Sequence, residues 1–297
     1  MIDNNEVLYS PTLKKEADAG NMEAQFDLGV CYELGSNIRK SDRLAAKYYK
    51  MAADQGHVDA QFNLALCYEN GVGVEKDFAK AIEYYRLAAE QGDPEAQCNL
   101  GVFYIEGCGV EKDSKMATRF FKKAAAQGDC VAQNNLGECY LYAAGVPKDM
   151  GKAVKYFELS AEQGWPAGLY NLALCYENGE GVEQSYAQAV KYYKLAAEQG
   201  DADALAALGT CYINGNGVAR SAAKAFECYQ LSAQQGNDCG QYNLGVCYYN
   251  GESVPKDMQK AVHWFRLAAD QGYEAAIEEL AEIASGLYLW NGDGPCS

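Results

Sequence analysis

The dipeptide Gln-Gly closes a segment of constant length seven times over. It stands at Gln55-Gly56, Gln91-Gly92, Gln127-Gly128, Gln163-Gly164, Gln199-Gly200, Gln235-Gly236 and Gln271-Gly272, always 36 residues apart, with Ala19-Gly20 one step earlier. A fixed period of this size means that each segment is one supersecondary unit, and that neighbours stack to bury the apolar side each unit exposes. Length alone, 297 residues, suggests about two globular domains. The period replaces that expectation with one elongated array. Seven repeats are expected over 21–56, 57–92, 93–128, 129–164, 165–200, 201–236 and 237–272. Residues 1–20 hold an N-terminal tail and a half-repeat, and residues 273–297 a C-terminal capping helix and tail.

Each repeat carries two sets of helix signals. In the third, Asp93-Pro94-Glu95 supplies an N-cap, a proline suited to the first helical turn and an early carboxylate. Ala96, Leu100, Gly101 and Tyr104 then fall on one helical face. Gly107 ends that helix, because glycine accepts the left-handed conformation. Position 21 of every repeat is Asp or Ser, the N-cap of a second helix. In the second repeat that helix places Ala81, Tyr84, Tyr85, Ala88 and Ala89 at three- and four-residue spacing. The chain therefore reads as all-α, a right-handed α/α superhelix of helix-turn-helix units, here termed helix A and helix B, with partial capping helices at both ends.

The residues AQFNLALCYENGVGVEKDFAKAIEYYRLAAEQG resemble a Sel1-like repeat, a 36-residue relative of the tetratricopeptide repeat. The resemblance covers about residues 13–285. It rests on the ordered set Ala-x-x-x-Leu-Gly-x-x-Tyr, Gly-x-Gly-Val and Lys-Ala-x-x-Tyr-x-x-x-Ala-Ala. Departures are Gly35-Ser36-Asn37-Ile38, Ala143-Ala144-Gly145-Val146 and Ser253, which put the local turn geometry in question. The resemblance implies a non-catalytic scaffold or adaptor that binds a protein or peptide on the concave helix-A side. It also brings two alternatives, a β-lactam-hydrolysing enzyme of the kind sometimes attached to this family and a secreted host-interaction or virulence factor.

Charge and cysteine usage narrow the partners. A net charge of −16 and a pI near 4.6 disfavour nucleic acid and anionic membrane surfaces and favour a neutral or basic partner. Neither a basic-then-apolar leader nor an apolar run of about 20 residues is seen, so a cytoplasmic monomer with no membrane span is expected. Six of the twelve cysteines, Cys31, Cys67, Cys139, Cys175, Cys211 and Cys247, share one repeat position. Equivalent helices stack about 8–10 Å apart, too far for a disulfide, so these read as small buried hydrophobes in a reducing compartment. The cysteine pairing of secreted relatives falls here on Ala89 and Gln97, so that framework is absent.

No catalytic, metal or cofactor pattern accompanies the repeat. The two histidines, His57 and His263, have no zinc-ligand spacing and read as surface or capping residues. Ser221-Ala222-Ala223-Lys224 matches Ser-x-x-Lys, yet Ser221 already has a role as an N-cap and no Lys-Thr-Gly or Ser-Asp-Asn follows. The Gly-x-Gly-Val turns lack the P-loop lysine, and Asn291-Gly292-Asp293-Gly294 lacks the distal glutamate of a calcium loop.

The binding candidates are residues that repeat with the module. Asn63, Asn99, Asn135, Asn171 and Asn243 share position 7, and Asn70, Asn178, Asn214 and Asn250 share position 14. Seven residues turn a helix through about two turns, so the two sets lie in line on one flank of helix A. A side-chain amide both donates and accepts, which suits the backbone of an extended peptide. Asp59 and Leu66 complete the stripe in the second repeat. Position 14 also suits a helix end, and position 3 carboxylates (Glu23, Asp59, Glu95, Asp203) also suit a helix start, so both structural readings stay open. The position 6 aromatics Phe26, Phe62, Tyr170 and Tyr242 are divided between partner contact and core. The tail Leu287–Trp290 either folds over the last helices or forms a docking patch.

Overall fold

A computed structural model describes residues 7–285; the tail Leu287–Trp290 lies outside them. The described residues form sixteen α-helices and no strand. The helix-A series is α2 (Met22–Leu34), α4 (Val58–Asn70), α6 (Pro94–Glu106), α8 (Cys130–Tyr142), α10 (Pro166–Asn178), α12 (Ala202–Asn214) and α14 (Asp238–Asn250). The helix-B series is α3 (Asp42–Ala53), α5 (Phe78–Glu90), α7 (Ser114–Ala126), α9 (Met150–Glu162), α11 (Tyr186–Glu198), α13 (Ala222–Gln234) and α15 (Met258–Asp270). A short α1 (Pro11–Asp18) precedes them and α16 (Glu274–Ala284) follows. The fold class is the all-α helical-hairpin repeat that the period demands.

The chain divides into two compact units, Met1–Asp149 with α1–α8 and Met150–Ser297 with α9–α16. In the first, α2–α3, α4–α5 and α6–α7 pack as hairpins, and each helix B also packs on the next helix A. In the second, α10–α11, α12–α13 and α14–α15 do the same, and α16 covers α15.

The capping signals behave as their chemistry requires. Asn21, Asp93, Asp129, Asp201 and Asn237 accept hydrogen bonds from backbone N–H groups in the first turn of their helices A. Ser41, Asp77, Asp113, Ser185, Ser221 and Asp257 do so for helices B. The turns with missing glycines keep the same left-handed backbone, with φ of 57° at Asn37, 58° at Ala143 and 64° at Ser253. Where the second turn glycine is kept, it packs on the preceding repeat. A Cβ on Gly73 would stand 2.1 Å from the backbone carbonyl oxygen of Asp42 in the preceding repeat.

Each core layer is a leucine of helix A against an aromatic ring of helix B. Leu28, Leu64, Leu100 and Leu136 are fully buried in the first unit, as is Leu172 in the second. Gly101 lets the Phe121 ring close on α6, where a Cβ would come within 2.4 Å of it. Gln-Gly has a second role besides ending helix B. In the first unit Gln91 donates to Gln61 at 2.8 Å and to the Gly56 carbonyl at 3.1 Å, while buried Gln61 donates to the Ala53 carbonyl at 3.3 Å. Gln55–Gln25 and Gln127–Gln97 repeat the amide pair at 2.8 and 3.0 Å.

Candidate partner-binding surface

The position 7 asparagines are half-buried, and their partners belong to the fold. Asn63 lies beside the Tyr49 hydroxyl and Asn99 beside that of Tyr85, each reaching back to the preceding repeat. Asn135 donates to the Cys98 sulfur at 3.8 Å, and Asn243 to the Cys239 carbonyl at 2.9 Å in its own helix. Asn171 occupies the same half-buried place on α10. The position 14 asparagines, Asn70, Asn178, Asn214 and Asn250, are exposed and each is the last residue of its helix. Asn70 donates to the Leu66 carbonyl at 3.1 Å, a local helix-end bond. Asp59 is exposed in the first turn of α4, and Leu66 is half-buried against the core of the first unit.

Position 13 is a further component that the sequence reading did not single out. Glu33, Glu69 and Glu177 accept hydrogen bonds from the buried hydroxyls of Tyr49, Tyr85 and Tyr193, the latter two at 2.5 Å. Burial, followed by the carboxylate bond, raises these tyrosines well above the ordinary phenol range, so they act as donors at neutral pH. The signal was present as a covariation. Where position 29 is Phe121, Phe157 or Phe265, position 13 is Ile105, Leu141 or Tyr249. Tyr229 faces Ile213 across the same spacing and takes Thr210 as its partner instead, at 3.2 Å.

Charge is sorted by helix. The helix-A series and α16 contain carboxylates but no lysine, arginine or histidine, whereas every helix B carries lysine. In the first unit a pocket of about 250 Å³ opens on this acidic side between α6 and α8. Val102, Ile105, Phe121 and Tyr142 give it an apolar lining, and Asn135 and Glu138 provide polar groups. Tyr142 is 74% exposed, a large apolar surface at the rim. Asn70 lines a smaller neighbouring pocket with Glu69, Lys76 and Glu106.

The residues considered for chemistry are engaged structurally. His57 caps α4, accepting from the Ala60 N–H at 3.3 Å, with its other ring nitrogen 3.1 Å from Glu23 and its face on Phe26. Ser221 accepts from the backbone N–H of Lys224 at 3.4 Å, while the Lys224 ammonium lies over the Tyr212 ring. Burial pushes the Cys67, Cys175 and Cys247 thiols up to about 11, which keeps them protonated and poorly nucleophilic at neutral pH. Among the described residues no three His, Cys, Asp or Glu side chains cluster as metal ligands, and no helix is long and apolar enough to cross a membrane.

Comparison with known proteins matches this geometry to a family. The Sel1 repeat model matches seven times, over residues 23–57, 58–93, 94–129, 130–165, 166–201, 202–237 and 240–273. A Sel1 repeat protein from Oxalobacter formigenes is 32% identical with a TM-score of 0.73, covering 91% of this chain and 78% of its own. A protective antigen of uropathogenic Escherichia coli with an SLR fold is 35% identical with a TM-score of 0.76 over 92% of this chain. The present chain spans only 58% of that antigen's length. Yeast Tom70, at 15% identity and a TM-score of 0.51 over 92% of this chain and 58% of its own, shares the fold alone. No curated protein matches the chain. Seven matched repeats and two relatives above 30% identity lead to one conclusion: the chain belongs to the Sel1 repeat family.

Proposed function

We propose that this protein is a non-catalytic adaptor whose helix-A side holds an extended peptide segment of a partner protein, neutral or basic in character. Sel1 repeats are in general protein-interaction modules, and the chemistry of this face narrows the partner. The observation that carries it is the sorting of charge. In the first unit, helices α2, α4, α6 and α8 carry carboxylates and no lysine, arginine or histidine, which favours lysine or arginine and disfavours acidic segments. Glu69 and Glu177 are held by tyrosine hydroxyls, so less side-chain entropy is lost when they meet a cation. The pocket between α6 and α8 offers an apolar side chain a place beside Glu106 and Glu138. Asn135 at its edge is suited to a peptide backbone group.

The test is selection from a displayed random-peptide library on the purified protein. Selected sequences are expected to combine Lys or Arg with an aliphatic or aromatic residue. Asn135→Ala with Tyr142→Ala should lower their affinity about tenfold while leaving helicity unchanged, as expected for loss of an interface anchor. The broader set Asn63, Asn99, Asn135 and Asn171 to alanine should weaken capture further. Undiminished binding by both variants sinks the assignment of this face.

A further inference from the structure

Helix α7 departs from every other helix B. Its sequence, SKMATRFFKKAAA, holds Lys115, Arg119, Lys122 and Lys123 and no carboxylate. Two of these features replace what the module otherwise supplies. Position 31 is leucine or methionine in the other six repeats, as at Leu87 and Leu195, and here it is Lys123. Position 34 is acidic or amide in the others, as at Asp54 and Glu90, and here it is Ala126. In the first repeat the same i,i+4 site pairs Lys50 with Asp54 at 2.7 Å. Lys122 has lost that partner. Among the described residues no ion pair involves any of the four cations.

The packing of the module does not require these changes, because the other helices B adopt the same hairpin without them. Both flanks of α7 are grooved. One groove, of about 470 Å³, runs past Lys115, Arg119 and Lys122 to Gly145 and Val146. The other, of about 340 Å³, has Met116 and Phe120 as its apolar floor, with Arg86, Glu90 and Tyr104 opposite. Phe120 stacks on Tyr104 at 5.8 Å, and the Lys123 ammonium stands 5.9 Å from the Phe120 ring. The floor is fixed and the cations stand at its edges.

We infer that α7 and its two grooves form a second docking surface, for a short acidic segment of a partner protein, opposite in sign to the helix-A face. From Lys115 to Lys123 the row is about 12 Å long. That length matches two turns of a helix, or about four extended residues, with carboxylates spaced to meet the cations. A long polyanion fits poorly. Beyond about 8 Å, the screening length at physiological salt, it would meet the rest of a chain of net charge −16. A short peptide with Glu or Asp around one aromatic or aliphatic residue satisfies both the cations and the Met116–Phe120 floor.

The experiment uses the full chain and a fluorescein-labelled eight-residue peptide of alternating Glu and Leu, read by polarisation at low and high salt. Wild type is expected to bind, with affinity falling as salt rises. Lys123→Leu with Ala126→Glu, which restores the module's own residues and so preserves folding, should weaken binding about tenfold, in line with the loss of one cation and the return of an acidic i,i+4 partner to Lys122. Lys191→Glu with Lys194→Glu on α11 should leave it unchanged. The inference is overturned if the peptide does not bind, if the α11 variant loses as much, or if anionic vesicles or a single-stranded oligonucleotide compete more strongly than unlabelled peptide. The helix-A library peptides should retain their affinity for the α7 variant, so failure of one surface is distinguishable from failure of the other.

Discussion

The repeats of the first unit and those of the second close the same hairpin with different buried chemistry. In the first, position 5 is Gln25, Gln61, Gln97 and Gln133, and an amide ladder links it to the end of helix B and to the preceding repeat. In the second, position 5 is Leu169 and Leu205, both buried, before Gln241 restores the pair with Gln271 at 2.9 Å. Opposite the leucines, Gln199 and Gln235 turn back to the carbonyls of Leu195 and Leu231 in their own helices, at 3.4 and 3.5 Å. Two chemistries therefore serve one geometry. A satisfied amide pair and a leucine are close in net energy, because a buried hydrogen bond mainly offsets the desolvation of its own groups. A half-satisfied pair is what the stack cannot hold cheaply.

Both units bring a turn glycine close to the helix B of the preceding repeat, and the largest losses are expected there. Gly73→Ala and Gly217→Ala drive a Cβ to 2.1 Å and 2.3 Å from the carbonyl oxygens of Asp42 and Tyr186, at φ values of 73° and 68°. Each should cost more than about 3 kcal/mol, measured by urea denaturation, from steric overlap added to left-handed strain. Gly92→Ala, with nothing within 4 Å, should cost only the backbone term of about 1–2 kcal/mol. Equal losses at Gly73 and Gly92 would show that the turn contact does not hold the stack.

The amide ladder sharpens the contrast. Gln61→Ala removes the partner of Gln91 and of the Ala53 carbonyl and should cost about 1–3 kcal/mol. Leu205→Gln in the second unit, where Gln235 stands ready, should stay within about 1 kcal/mol of wild type. A larger loss for Leu205→Gln than for Gln61→Ala would reverse this account.

A further effect lies at the tyrosine–carboxylate pairs. Tyr85→Phe, which imitates the third repeat, should cost about 1.5–3 kcal/mol at pH 7, the value of a bond to a charged acceptor. The folded-state value of Tyr85 lies above its ordinary 10, and that of Cys67 is pushed up from 9 to about 11. Both groups are neutral when protonated and raised in the fold. Their contribution is therefore complete below the unfolded values and is lost as pH rises past about 9. Stability should fall through the alkaline range, less steeply in Tyr85→Phe. Thermal melts between pH 8 and 11 decide it, and a parallel fall in the variant would remove Tyr85 from the explanation.

Several of these differences were legible in the chain and others were not. The 36-residue period, the Asp and Ser caps and the glycine stops determined the helices, because capping and left-handed turns depend on local chemistry that one or two residues carry. The asparagine stripe was legible as a pattern. The pattern did not show that Asn63 and Asn99 lie beside tyrosines of the preceding repeat, or that Asn70 closes its own helix. Such partners lie across a repeat boundary or depend on which way an amide turns. The pairing of Glu69 with Tyr85 stood in the sequence as a covariation, but its meaning required knowing that residues 16 apart meet across a hairpin.

By itself, then, the sequence determined the number of modules, the class of fold and the identity of the residues that repeat. Local periodicity dictates these, and stacking identical units adds no new choice. The tertiary structure alone decided which repeating residues are already used by the core and which departures reach the surface. It turned Lys123 and Ala126 from two substitutions into a basic face between grooves, since accessibility and charge pairing exist only once neighbouring helices are in place.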